Sequence, residues 1–247
     1  MWNSFALAVQ ALTRLPVQAD LTATREEARR SIFLLPLVGA LLGALLAAVW
    51  TGGSWLWTGQ PLVAAALTLA AGLLITGGRG LGGAARAADG LAGRGAGGDR
   101  TRAFAIMRDP HRGTAGLVAG GGFIALRLAF LSALPPVIVL PALVLAGAMG
   151  GWAVAFSLSA FPGAGGGRDR SALAEAGPGE FLAATAIAII CGAVLPSRGL
   201  LTLLVVALVA APSAAGVNRL LGGLNPPLCA ALGEIAEIVA LACLSIR

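Results

Sequence analysis

Seven apolar runs dominate this chain, most of them close to the roughly 20 residues an α-helix needs to cross the hydrocarbon of a bilayer. They cover residues 31–50, 60–78, 113–134, 137–161, 181–195, 199–216 and 228–244. Their hydrophobicity is continuous rather than alternating, which argues against a membrane β-barrel. In lipid every backbone N–H and C=O must be bonded inside its own segment, so helix is the form these runs take. The sequence therefore predicts an all-α fold: a polytopic membrane bundle of about seven transmembrane helices, forming a single domain over residues 1–247. Ahead of the first run, residues 1–17 read as a shorter helix lying at the interface. Composition agrees. Charged residues make up 11% of the 247 and hydrophobic ones 57%, whereas soluble domains carry roughly 25% charged residues.

All 17 basic residues are arginine, and the formal net charge is +6. With the N-terminal segment inside, fourteen arginines collect on the cytoplasmic face. These are Arg14, Arg25, Arg29, Arg30, the seven from Arg79 to Arg112, Arg168, Arg170 and Arg219. Arg198 and Arg247 lie outside, and Arg127 falls within a span. The positive-inside rule selects this orientation. Because the arginines sit in connections between apolar runs, they read as membrane-face anchors and not as a nucleic-acid footprint. Trp50, Trp55 and Trp57 fall at the outer ends of the first two spans, where an aromatic belt is expected. Pro196-Ser197-Arg198 separates the fifth and sixth runs, which predicts a tight helical hairpin. Cys191, Cys229 and Cys243 lie in apolar stretches without C-x-x-C spacing and read as inert thiols. Met1-Trp2-Asn3-Ser4 has no basic n-region, so no removable signal peptide is expected. Gly39 and Gly43 fit a small-x-x-x-small helix contact.

Two long glycine-rich connections, residues 79–112 and 163–180, are expected as cytoplasmic loops where chemistry can reside. Asp89, Asp99 and Asp109 are the acids of the first, among seven arginines. Carboxylates there suit Mg²⁺, which takes a few oxygen ligands plus substrate phosphates, while guanidinium groups bind phosphate oxygens bidentately. That combination points to phosphoryl transfer; the plainer alternative is a solvated positive-inside loop. Glu234 and Glu237 stand i, i+3 in the last span, and carboxylates inside a span default to a functional role. Stabilisation of a helix N-terminus is the competing explanation. Arg127 needs a partner at its depth, with Glu234 or Glu237 the candidates, unless it snorkels to the interface. His111, the single histidine, is a phosphate neighbour or a base.

Three strings carry a family resemblance. Thr13-Arg14-Leu15-Pro16, followed by Pro36-Leu37-Val38-Gly39, resembles the "T-R-L-P-x-P" and "P-x-x-G" segments of cobalamin synthase, the adenosylcobinamide-GDP ribazoletransferase family. Met107-Arg108-Asp109-Pro110-His111-Arg112-Gly113 is similar to that family's "M-[KR]-D-S-R-x-G" loop. Gly222-Gly223 through Ala231, Glu234 and Glu237 resembles its "G-A-x-x-E-x-x-E" end. The resemblance covers nearly the whole chain. It implies a bacterial inner-membrane transferase that joins α-ribazole, or its 5′-phosphate, to adenosylcobinamide-GDP with release of GMP and assistance from Mg²⁺. On this chain it implies Asp89 and Asp109 as catalytic groups and Asp89, Asp109, Glu234 and Glu237 as metal ligands. Arg79, Arg108, Arg112 and His111 become the phosphate-binding set. The partners implied are the nucleotide-activated corrinoid, α-ribazole and the lipid bilayer, with homo-oligomerisation left open.

The chain also departs from the family pattern. Where "T-G-G-x-H-L-D-G-L-A-D-x-x-D" is expected, residues 76–89 place Gly80 at the histidine, Gly82 at the first aspartate and Arg86 at the second, retaining Asp89. Pro226-Pro227 replaces a "G-D" pair. A catalytically weak or inactive paralogue that binds corrinoid or scaffolds a membrane complex is therefore the competing expectation. A third candidate is the CDP-alcohol phosphotransferase family, of whose motif Arg86-Ala87-Ala88-Asp89-Gly90-Leu91-Ala92-Gly93-Arg94 is a partial echo. A transporter fits less well, because only Arg127 sits deep.

Overall fold

A computed structural model describes residues 1–17, 24–95, 97–164 and 177–246. Among them are ten α-helices: α1 (Trp2–Leu12), α2 (Arg25–Leu56), α3 (Pro61–Thr76), α4 (Arg79–Gly93), α5 (Arg100–Arg108), α6 (Thr114–Ala133), α7 (Val139–Ala160), α8 (Pro178–Ala193), α9 (Pro196–Leu221) and α10 (Pro226–Ser245). The all-α membrane architecture is as the sequence predicts. Five helices, α2, α6, α7, α9 and α10, are long and apolar enough to cross a bilayer, and α3 with α4 forms a sixth candidate bent by 84°. All seven predicted runs are helical, but α3 and α8 have 16 residues each. At 1.5 Å per residue that is about 24 Å, short of a hydrocarbon core of about 30 Å.

Helix α2 starts at Thr24, whose hydroxyl accepts from Glu27 N while the Glu27 carboxylate accepts from Thr24 N, a reciprocal capping box. It runs for 32 residues, past the expected end at residue 50. Trp50 therefore lies more than a turn below the helix end and is buried in the core, at 5% exposure, not in an interface belt. Trp55 and Trp57, beyond it, are exposed. Antiparallel to α2 runs α7, and their seam is made by Gly39, Gly43, Gly147 and Gly151. A Cβ on any of these would collide with backbone of the facing helix. The small-residue spacing at Gly39 and Gly43 thus marks one side of the most intimate helix contact in the bundle.

The principal difference from expectation lies between residues 79 and 112, read from the sequence as a loop. Gly77 and Gly78 both adopt left-handed backbone, with φ of 62° and 63°, and turn the chain sharply out of α3. The chain then forms α4 and α5. Frequent glycine lowers helix propensity, but tertiary packing overrides it: Ala84, Ala85 and Ala87 of α4 and Ala103 and Met107 of α5 are buried. The N-terminal helix expected over residues 1–17 forms as α1, ending at Leu12; it packs against α2 through Ala8 and Val9, and Arg14 N donates to Ile75 O to hold its end beside α3. The α8–α9 hairpin is as predicted, closed by backbone contact of Gly192 with Gly199. Of the second expected loop, Gly163 bridges to Leu224. Arg168 and Arg170 lie outside the described residues.

Candidate functional site

A cavity of about 550 Å³ lies within the bundle, between α2, α3, α4, α6, α7 and α10. Its walls are mostly apolar, and its charged lining is Arg79 and Arg86 from α4, Arg127 from α6, and Glu234 and Glu237 from α10. Charged side chains within a span need partners. Arg127 has two: its guanidinium lies 2.8 Å from Glu234 Oε2 and also donates to Glu237 Oε2. The sequence offered either glutamate as the partner, and the structure uses both. They stand one turn apart on α10, so one planar guanidinium from α6 reaches the pair.

Glycine creates the room for these carboxylates. A Cβ on Gly80 would collide with Glu234 Oε1, and one on Gly150 with Glu237 Oε1. Gly83, one turn further along α4, lies against Ala230 of α10 and brings the two helices together. Gly80, Gly83 and Arg86 thus recur at i, i+3 and i+6 and face the cavity from one side of α4. Helical phase was the available signal for this face, and the loop assignment of residues 79–112 concealed it. Arg79 also lines the cavity and donates to Gln10 O at the end of α1.

Asp89 points elsewhere. Nine residues separate it from Gly80, which at 100° per residue places it on the opposite side of α4. Its Oδ2 accepts from Gly113 N at 2.9 Å and its Oδ1 from Gly116 N at 2.7 Å. Gly113 is the N-cap of α6 and has no side chain to cap it. Asp89 supplies that cap from a neighbouring helix, satisfying N–H groups that α6 cannot bond internally. Gly113 and Gly116 also form its seat, since a Cβ on Gly116 would strike the carboxylate.

Asp89 borders a second pocket of about 490 Å³ with Asp109, His111, Arg112 and Thr114. There Asp109 Oδ1 accepts from His111 N and meets His111 Nδ1, both at 2.8 Å. The backbone hydrogen bond from His111 leads the interactions that hold the Asp109 carboxyl below its ordinary range. Arg112 donates to the carbonyls of Asp109 and Pro110. Arg108 lies at the end of α5, outside both linings.

The residues expected to act together thus fall into two groups. Glu234, Glu237 and Arg79 line the central cavity; Asp89, Asp109, His111 and Arg112 line the other pocket. Among the described residues no three of His, Cys, Asp and Glu come together as a group able to hold a metal ion. Each of the four proposed carboxylate ligands is engaged by a protein partner: Asp89 by two N–H groups, Asp109 by His111, and both glutamates by Arg127. This donor set does not fit a protein-built Mg²⁺ site.

The fold and cavity define a multi-pass helical membrane protein whose buried charge is gathered between its central helices. The chain belongs to the cobalamin-5-phosphate synthase family, whose model matches residues 4–245. It is 36% identical to the adenosylcobinamide-GDP ribazoletransferase of Roseiflexus sp. over 99% of this chain and 91% of the relative. It is also 36% identical to the protein of that name from Pseudomonas savastanoi pv. phaseolicola, over 98% of both chains. A more distant relative of the same name, from Thermoanaerobacter pseudethanolicus, is 27% identical over 96% of this chain and 94% of its own length. No solved structure matches the chain at a significant level.

Proposed function

We propose that this protein is an adenosylcobinamide-GDP ribazoletransferase, joining α-ribazole or its 5′-phosphate to adenosylcobinamide-GDP and releasing GMP. Family membership and near full-length relatives of that name support the activity. The observation that supports the central cavity as its seat is that arginines stand there beside Glu234 and Glu237. In the reaction a ribose oxygen attacks phosphorus, forming a P–O bond as the bond to GMP breaks. Guanidinium groups stabilise charge on the phosphate oxygens, and Glu234 with Glu237 receives the proton of the attacking hydroxyl. Two carboxylates against one guanidinium leave a formal negative charge, which favours that proton transfer. Arginine distribution supports a bacterial inner-membrane location with α4 and α5 on the cytoplasmic side.

Purified protein in detergent, given adenosylcobinamide-GDP and α-ribazole, is expected to release GMP. Glu234→Gln and Glu237→Gln should each reduce that release by about 100-fold, within the range of a lost acid–base group. Tight corrinoid binding with no GMP release by the wild type would instead identify a binding paralogue. Full turnover in both variants would remove the glutamates from the chemistry.

A further inference from the structure

We infer that Arg86 is the anion receptor of the central cavity, and that it takes a phosphate of the nucleotide substrate without an intervening divalent ion. The inference rests on the transferase reading and adds to it the identity and the metal independence of the phosphate subsite.

Three guanidinium groups line the cavity, and two are already engaged. Arg127 is held by Glu234 and Glu237, and Arg79 donates to the Gln10 carbonyl. Arg86 differs. Its Nε donates to Gly82 O at 3.2 Å, within its own helix, which fixes the root of the guanidinium and leaves both terminal nitrogens for a ligand. Among the described residues it forms no ion pair, and the charged group acting on it is another cation, Arg112. A half-buried guanidinium facing a cavity, under the influence of a second positive charge and with no ion-pair partner among the described residues, is a site for an anion. Its planar fork matches two phosphate oxygens. Beside it Gly82 presents no side chain, and the space over that position is open for 4 Å.

The same geometry disfavours a metal at this point. The five charged residues of the lining carry a formal charge of +1, and Arg127 already neutralises one of the two carboxylates. A divalent cation entering there would meet three guanidinium groups, and the two glutamates of the lining are both held by Arg127. Arg86 brings positive charge and directional donors to the position from within the fold.

The test uses GDP as the probe and the full-length protein in detergent micelles, with binding measured by calorimetry in EDTA and in excess Mg²⁺. GDP is expected to bind equally well in both buffers, within about threefold. Arg86→Gln should weaken it by about tenfold or more, the loss of a charge-assisted pair of hydrogen bonds. Arg86→Lys, which keeps the charge without the fork, should lie between, and Arg198→Gln should bind as the wild type does. A melting temperature for each variant guards against misfolding, and the comparison of buffers in the wild type does not depend on any variant. Binding that requires Mg²⁺, or an unweakened Arg86→Gln protein, overturns the inference. GDP binding lost in Arg86→Gln while the wild type releases no GMP would sink the transferase reading and leave the receptor standing. GMP release that ignores the Arg86→Gln change would do the reverse.

Discussion

Asp89 accepts the backbone N–H of Gly116 at 2.7 Å, so a carboxylate carried by α4 closes the first turn of α6. With the companion bond from Gly113 it joins two helices that are separated in sequence by α5 and its flanking turns. Asp89 is 8% exposed, and its loss would strand donors in a nearly dry environment. Asp89→Ala is therefore expected to destabilise the protein by about 1–3 kcal/mol, with Asp89→Asn losing less because one acceptor survives. Thermal unfolding in detergent reads both. A variant with unchanged stability and abolished GMP release would return Asp89 to the chemistry.

Arg127 pairs with both Glu234 and Glu237, the first of them buried and the second partly so. Removing it as Arg127→Ala leaves both unpaired, a change of about 3–5 kcal/mol for a buried ion pair. The triple variant Arg127→Ala, Glu234→Gln, Glu237→Gln should recover much of that loss, since no unpaired charge remains. If the triple variant is no more stable than Arg127→Ala, the pairing does not carry the energy assigned to it.

Gly78 offers a test of the bend with little packing interference. A Cβ there would meet nothing within 4 Å, yet φ is +63°. Gly78→Ala should cost about 1–2 kcal/mol through backbone conformation alone. Gly52→Ala, equally open but in the interior of α2 with ordinary helical backbone, should be neutral or slightly stabilising. Equal melting temperatures for the two variants would count against a left-handed break at Gly78.

Much of the fold was legible in the sequence, because apolar runs of span length admit one backbone solution in lipid. The hairpin at Pro196 and the need of Arg127 for a glutamate followed from the same reasoning. The turn at Gly77 and Gly78 was not legible. Glycine there reads equally as flexible loop, and what fixes α4 as helix is burial of Ala84, Ala85 and Ala87 against partners distant in the chain. The candidate site was half legible. Glu234, Glu237 and Arg79, singled out in the sequence, line the cavity, but nothing local reveals that Glu234 rests on Gly80, some 150 residues earlier. Asp89 was the residue retained from the family motif, and its role as a cap for α6 depends on Gly113 and Gly116 arriving beside it.

The turn at Asp109 has a pH signature. Its carboxyl titrates below the ordinary 3.8, led by the hydrogen bond from His111 N. A carboxylate with a depressed folded value contributes above its unfolded value and stops contributing as pH falls through the folded one. The His111 amide is thus expected to keep its hydrogen-bonded chemical shift through pH 3.8 and to move only in stronger acid. An isotope-labelled sample reports it, and Asp109→Asn should abolish the transition. A midpoint at or above 3.8 contradicts the hydrogen-bonded turn.

The glycines behind Glu234 and Glu237 have an evolutionary corollary. Gly80 and Gly150 hold no reactive atom, yet a single methyl at either would push a carboxylate out of its berth beside Arg127. Saturation mutagenesis scored by growth on a cobalamin-dependent pathway should therefore show two chemically silent positions as intolerant as the acids themselves. The chamber depends on vacant space at these two positions, and a substitution damages it by adding atoms and not by removing them.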